Sequence, residues 1–141
     1  MDVLNINFND ISASKGDKRP NKNLTIQNNV KILSLEESGI GIDKSKKTLN
    51  LKFEYSTNYK PDYASIKLQG RAMLLADEKE AETALKEWKE KETFNKQAAK
   101  EILNRVMNKS LLQTIVMARE LDLPAPIKLP KIKDNTGDKE K

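Results

Sequence analysis

Apolar residues recur every three or four positions along the stretch from residue 94 to residue 121. They are Ala99, Ile102, Leu103, Val106, Met107, Leu111, Ile115, Ala118 and Leu121. This spacing places them on one side of an α-helix. Pro124 and Pro126 cannot continue the helix, because proline has no amide hydrogen and a fixed φ. The pattern therefore predicts one long helix from about Phe94 to about Leu121.

The second half of this helix has a wider apolar arc, because Leu112 and Val116 lie beside Leu111 and Ile115. A helix with such an arc is buried on more than one side. The simpler interpretation is burial in the core of its own domain. The alternative is that the extra face serves an oligomer or ligand interface, and we carry forward an oligomer interface formed by these four residues.

Before this helix, apolar and polar residues alternate with a period of two, which is typical of half-buried β-strands. Asn28 and Asn29 interrupt one alternating series and indicate an irregularity there. Leu33 and Leu35 then occupy odd positions, whereas the preceding apolar residues are even, and this switch indicates a bulge or a strand end. The alternating segments are residues 4–8, 24–32, 49–57 and 64–74.

The last two alternating segments surround a short turn at Asn58–Asp62 and predict a β-hairpin. Gly70 lacks a side chain, so we expect another group to approach the sheet closely there. A highly charged helix capped by Asp77 follows. Strands followed by helices predict an α+β fold, with a four-stranded antiparallel sheet followed by a charged helix and a long amphipathic helix.

A length of 141 residues fits one domain, which we place at residues 1–132, followed by a charged flexible tail at residues 133–141. The formal net charge of +5 permits anionic partners without requiring them. No segment approaches the roughly 18 apolar residues of a membrane-spanning helix. The first residues lack the pattern of a signal peptide. We therefore expect a cytoplasmic protein without membrane insertion.

The chain contains no cysteine and no histidine, which removes thiol chemistry, the common general base and the commonest metal ligand. It also lacks a glycine-rich phosphate loop, a nucleophile motif and paired carboxylates at a catalytic spacing. We therefore expect no catalytic residues, no metal and no cofactor, and a protein that is not an enzyme.

Several stretches together carry a family resemblance. They are Asp10-Ile11-Ser12-Ala13, the pair Leu49–Thr57 and Ala64–Leu74 with Gly70, and the helix running into the proline-containing segment within Ile102–Leu129. From about Leu4 to Leu129 this layout resembles the SecB-type protein-export chaperones. The resemblance implies a SecB-like fold, a homotetramer assembled by pairing of dimers, and ATP-independent binding of unfolded polypeptide. Some members guard antitoxins, so protein transport and antitoxin protection both remain open.

Asp10 matches an acidic residue through which the family contacts its export motor, so the resemblance implies that Asp10 binds a partner. The second acidic position, four residues later, is Ser14 in this chain. The chain is also basic, whereas typical bacterial members are acidic. Docking to that motor is therefore less supported than the fold.

A holdase chaperone needs exposed apolar surface with adaptable walls, and methionine side chains adapt well. Candidates come from the apolar segment 24–42 and from the long helix. The predicted peptide-binding residues are Ile26, Val30, Ile32, Leu33, Leu35, Ile40, Ile42, Met107 and Met117. For each of them, ordinary core packing is the alternative.

A basic nucleic-acid-binding module is the second functional hypothesis. Its phosphate contacts would be Lys18, Arg19 and Lys22 in a polar loop. Its stacking surface would consist of three tyrosines, namely Tyr55, Tyr59 and Tyr63. An aromatic content of only 5% makes this hypothesis the weaker one.

Overall fold

The computed structural model describes residues 1–17, 24–39, 45–93 and 96–126. In chain order the elements are β1 (Asp2–Lys15), β2 (Thr25–Glu37), β3 (Lys46–Lys60), β4 (Ala64–Asp77), α1 (Glu78–Lys91) and α2 (Lys96–Glu120). The strands form one antiparallel sheet in the order β1-β4-β3-β2. The predicted α+β class, with four antiparallel strands followed by two helices, is confirmed. The predicted tail lies outside the described residues, so the division at residue 132 stays a prediction.

The sheet has two chemically different faces, set by the alternation of side chains along β3. Its odd-numbered residues from Leu49 to Tyr59 are buried, whereas Lys52 between them is exposed. Helix α1 packs on β2, β3 and β4, and α2 packs on β4, β1 and β3. We call the face under the helices the inner face and the opposite one the outer face.

Gly70 permits the closest approach within the sheet. It pairs with Phe8 on one side and Phe53 on the other, and a Cβ at this position would lie 2.9 Å from Cζ of Phe53 and still closer to the carbonyl of Asn7. The rings of Phe8 and Phe53 meet edge to face, with centroids 6.1 Å apart. The predicted close approach at Gly70 is therefore confirmed.

Both edge strands contain bulges that shift the alternation. In β1, Leu4 and Asn9 are extra residues between paired neighbours, and in β2 the extra residue is Leu33. The face switch predicted around Leu33 is confirmed. The irregularity predicted at Asn28 and Asn29 is wrong, because their pairing to β3 is continuous. Leu4, predicted to share the buried face of its strand, is 45% exposed because the bulge places two residues opposite one.

Helix α1 begins where the sequence predicts, and the Glu80 carboxylate accepts the backbone N–H of Asp77 at 3.3 Å. Helix α2 buries only part of the predicted apolar stripe, namely Ile102, Val106 and Ala118, and buries two hydroxyl residues beside them. Its buried line is Ile102, Val106, Ser110, Thr114 and Ala118. The Thr114 hydroxyl donates to the Ser110 carbonyl at 2.8 Å, so this hydroxyl is buried with its hydrogen bond made.

Met107, which the stripe placed on the buried side of α2, is 40% exposed instead.

Two lysine side chains form hydrogen bonds between β1 and helix α2 or the residue that follows it. Lys109 donates to the Ile6 carbonyl and lies 5.8 Å from the Phe8 ring centroid, and Lys15 donates to the Leu121 carbonyl at 2.6 Å. Neither helix of the described chain is long and apolar enough to cross a membrane.

Phe53→Asp and Lys52→Asp test the assignment of the two faces. Phe53 is fully buried, so a carboxylate there is expected to cost several kcal/mol and to unfold the domain. Lys52 is exposed, and its substitution is expected to change the free energy of unfolding by less than about 0.5 kcal/mol. Urea titration followed by circular dichroism measures both. Equal destabilisation of the two variants would contradict the assignment.

Candidate functional site

Strand β2 lies at an edge of the sheet and carries most of the predicted peptide-binding residues. Ile26, Val30 and Ile32 are half-buried and pair with inner-face residues of β3, so they project toward the inner face. Within the described ranges β2 pairs only with β3, which leaves its other backbone edge without a strand partner. Such an edge can accept an extended chain as an additional strand.

The structure brings three of the predicted residues together in one apolar cluster, which we call the strap cluster. Its buried members are Tyr55, Tyr59, Ile66, Leu68, Ala118 and Leu123, and Ile26, Val30 and Met117 pack against them. Strand β2 and the C-terminal part of α2 therefore meet over the sheet, as a binding surface built from both elements requires.

The segment that follows α2, residues 123–126, lies against this cluster, and we call it the strap. The Tyr59 hydroxyl donates to the Pro124 carbonyl at 2.6 Å, and Asn28 Nδ2 donates to the Pro126 carbonyl at 3.0 Å. Thr57 Oγ1 in turn donates to Asn28 Oδ1 at 2.6 Å. Sequence reasoning missed Asn28 and Tyr59 as anchors. The signal was an asparagine in an even-numbered series that is otherwise apolar, because an amide that faces the covered side of a sheet needs hydrogen-bond partners.

Burial also changes the acid–base behaviour of two tyrosines. It raises the pKa of the Tyr59 phenol above the ordinary value of 10.0. Burial likewise raises the pKa of Tyr55, and a hydrogen bond with Thr57 offsets part of the effect. Both phenols therefore stay protonated in the folded protein to a higher pH than in the unfolded chain.

The other predicted peptide-binding residues lie apart from the strap cluster. Leu33, on the bulge, is 41% exposed and lines a hollow of the outer face, whereas Leu35 is buried in the core. Met107 is exposed on α2. Ile40 and Ile42 lie outside the described residues, as do the basic loop residues Lys18, Arg19 and Lys22.

Large apolar side chains are exposed at the sheet edges and on α2. Of the predicted interface residues, Leu112 is 66% and Val116 is 43% exposed, whereas Leu111 and Ile115 are half-buried. On β1, Leu4 and Ile11 are also exposed. Asp10, the predicted partner-binding residue, is exposed and pairs with Gln69 of β4.

A four-stranded antiparallel sheet of this order, with two helices on its inner face, is a SecB-like fold. The chain is similar to the solved SecB-like chaperone Rv1957 of Mycobacterium tuberculosis, in complex with a ChAD peptide from the Rv1956 HigA1 antitoxin. The similarity has a TM-score of 0.51 at 14% sequence identity and covers 96% of this chain and 92% of that one. No family model and no curated protein sequence matches.

Tyr59→Phe tests the anchor of the strap. Loss of the hydrogen bond to Pro124 is expected to lower the free energy of unfolding by about 1 kcal/mol at neutral pH. Above pH 10 the unfolded chain releases its tyrosine protons before the folded protein does, so stability falls as pH rises. Removing one such phenol should make this fall shallower. Urea titrations at about pH 7 and about pH 11 measure both effects.

Tyr63→Phe is the matched control, because Tyr63 is half-buried and its hydroxyl has no hydrogen-bond partner among the described residues. If Tyr63→Phe lowers the free energy of unfolding at neutral pH as much as Tyr59→Phe does, the hydrogen bond from Tyr59 to Pro124 does not stabilise the fold.

Proposed function

We propose that this protein is an ATP-independent holdase chaperone that binds unfolded polypeptide. One observation carries the proposal: in a SecB-like fold, the edge strand β2 presents partly exposed apolar side chains beside a backbone edge that has no strand partner within the described ranges. Exposed apolar surface of this kind is typical of sites that bind other polypeptides. The absence of nucleotide and catalytic motifs from the sequence favours a role without ATP and without catalysis.

The client surface we propose is formed by the inner side of β2 and the facing part of α2. Ile26, Val30 and Met117 already pack on the strap cluster there, and the Met107 side chain is exposed closer to the start of the same helix. An extended client would place alternate side chains on this surface and hydrogen-bond its backbone to the edge of β2. Ile32 extends this surface along β2, and Ile40 and Ile42 belong to the same proposal as residues of the following segment. Leu33 and Leu35 stand apart from it, because Leu33 lines the outer face and Leu35 is buried in the core.

The peptide bound to Rv1957 comes from an antitoxin, which is a precedent for a client of this kind. The family resemblance also implies protein export, with Asp10 as a partner contact. Ser14 at the second acidic position and the net charge of +5 favour the antitoxin role over docking to the export motor. Both roles need the same ability to hold an unfolded segment.

We also propose that the protein is a homo-oligomer, a tetramer as the family resemblance implies. Leu112 and Val116 lie one helical turn apart and expose apolar surface. In a symmetric dimer the patch of one subunit would pack against the same patch of the other subunit. Each residue would therefore be buried twice in the interface, once from each subunit. Leu111 and Ile115 are the half-buried neighbours that complete the proposed interface.

Ile26→Thr combined with Met107→Gln tests the client surface. The paired change removes apolar contact area from both β2 and α2 and is expected to weaken binding of an unfolded client roughly tenfold. Isothermal titration with a reduced, permanently unfolded protein in the absence of ATP measures this. Because apolar burial dominates, binding should persist in high salt and show a negative heat-capacity change.

Ile11→Thr is the matched control, because it makes the same chemical change at an exposed position of the opposite edge strand. Client affinity should be unaffected in this variant. Absence of binding to several unfolded proteins would reject the holdase function. Salt-sensitive binding to an oligonucleotide in the same titration would favour the nucleic-acid hypothesis instead.

Leu112→Glu combined with Val116→Glu tests the oligomer interface. Both side chains are exposed, so the fold is expected to remain, while carboxylates at an apolar contact should reduce the mass from that of a tetramer to that of a smaller species. Multi-angle light scattering measures the mass. Lys100→Glu, at another exposed position of α2, should leave it unchanged. A monomeric wild-type protein would contradict the proposal.

A further inference from the structure

The strap is attached to the sheet by side chains and not by backbone pairing. At its start, Asp122 adopts a left-handed backbone conformation with φ of 53°, and the Leu123 N–H donates to the Ala118 carbonyl at 2.8 Å. Beyond Leu123 the strap forms no backbone–backbone hydrogen bond with the described part of the chain. Its carbonyls instead accept hydrogen bonds from the side chains of Tyr59 and Asn28. The strap can therefore leave the sheet without breaking the pairing of any strand.

The strap lies on the inner face in the way that a bound peptide would. Leu123 and Pro126 are buried, whereas Pro124 and Ala125 between them are exposed. Proline fixes its own φ and disfavours the helical conformation of the residue before it, so this segment favours extended conformations. The strap thus offers the sheet an apolar residue at every third position and carbonyl groups for hydrogen bonds, which are also what an extended client offers.

The contacts of the strap could be replaced by contacts of a client. Leu123 is a buried member of the strap cluster, and Ile26, Val30 and Met117 of the proposed client surface pack against the same cluster. The phenol and amide groups that hold the strap can donate to any carbonyl oxygen, whichever residue carries it. A client that reaches the edge of β2 therefore meets a segment of the chain that already occupies part of its surface.

Opening of the strap would leave helix α2 in place. Ile102 and Val106 fix the first half of this helix in the separate core cluster that contains Phe53. The end of the helix is fixed to β1, because Lys15 donates to the Leu121 carbonyl at 2.6 Å. That contact lies directly before the turn at which the strap begins, so the strap can move as a unit of its own.

We propose that the strap is an internal competitor of clients, which occupies the strap cluster in the free protein and is displaced when an extended apolar segment binds there. The proposal rests on the holdase function proposed above and adds its regulation. A site that must first open binds its ligand more weakly, in proportion to the fraction of molecules that are already open. The closed strap also keeps the apolar side chains beneath it away from water until a client with apolar residues three positions apart replaces it.

Isothermal titration with a reduced, permanently unfolded protein in the absence of ATP tests this proposal in two strap variants. Leu123→Ala removes the side chain that the strap buries, so it is expected to lower the melting temperature and yet to tighten client binding at least about fivefold. Pro124→Gly changes an exposed position and gives the open strap more conformational freedom, so it should tighten binding roughly two- to fivefold. Lower stability together with tighter binding is not expected of a contact that only supports the fold.

Leu4→Ala is the matched control, because it makes the same change at an exposed position of β1 outside the strap cluster. Client affinity should equal that of the wild type in this variant. If Leu123→Ala does not fold, Pro124→Gly decides alone. Client binding that is unchanged or weaker in the strap variants would overturn the strap proposal and leave the holdase function standing. Absence of binding in the wild type and in both strap variants would reject the holdase function, and the strap proposal with it.

Discussion

The period of two along β3 is the constraint on which the rest of this structure depends. Successive side chains of a strand point to opposite faces, so the apolar odd-numbered residues of β3 all project to one side. Burying that side needs cover along its whole length, which both helices supply by packing on the sheet. Gly70 fits the same requirement, because a side chain at this position would collide with the Phe53 ring. The two faces then diverge in chemistry, since only the inner one is removed from water.

The elements of the fold could be predicted from the sequence because each has a local signal. Alternation locates β3 and β4, and spacing of three and four locates α2 within a few residues of its observed ends. The strand order could not be predicted, because β1 pairs with β4 across a separation of 49 to 73 residues, from Lys15 with Ala64 to Asp2 with Leu75, and no local pattern encodes that choice. The bulge at Leu4 was also missed, since the residues around it alternate as they would in a regular strand.

The candidate site was predictable only in part, for a related reason. Ile26, Val30 and Met117 were selected as apolar residues, and tertiary packing does bring them together. The buried side of α2 was assigned by hydrophobicity, yet the helix contacts the sheet through Ser110 and Thr114 as well. Small residues let a helix lie close to a sheet, and the Thr114 hydroxyl makes its hydrogen bond within the helix, whereas a pattern based on hydrophobicity alone assigns both residues to solvent. That rotation of the helix is why Met107 is exposed.

The strap connects the fold to the proposed binding of clients. Pro124 and Pro126 cannot donate backbone hydrogen bonds, so residues 123–126 cannot become a regular strand of the sheet. Their carbonyls are instead held by the side chains of Tyr59 and Asn28, which project from the inner face. This arrangement covers the strap cluster while the edge of β2 keeps its backbone groups available. A client that adds to that edge would therefore meet an ordered wall on one side and the exposed part of α2 on the other.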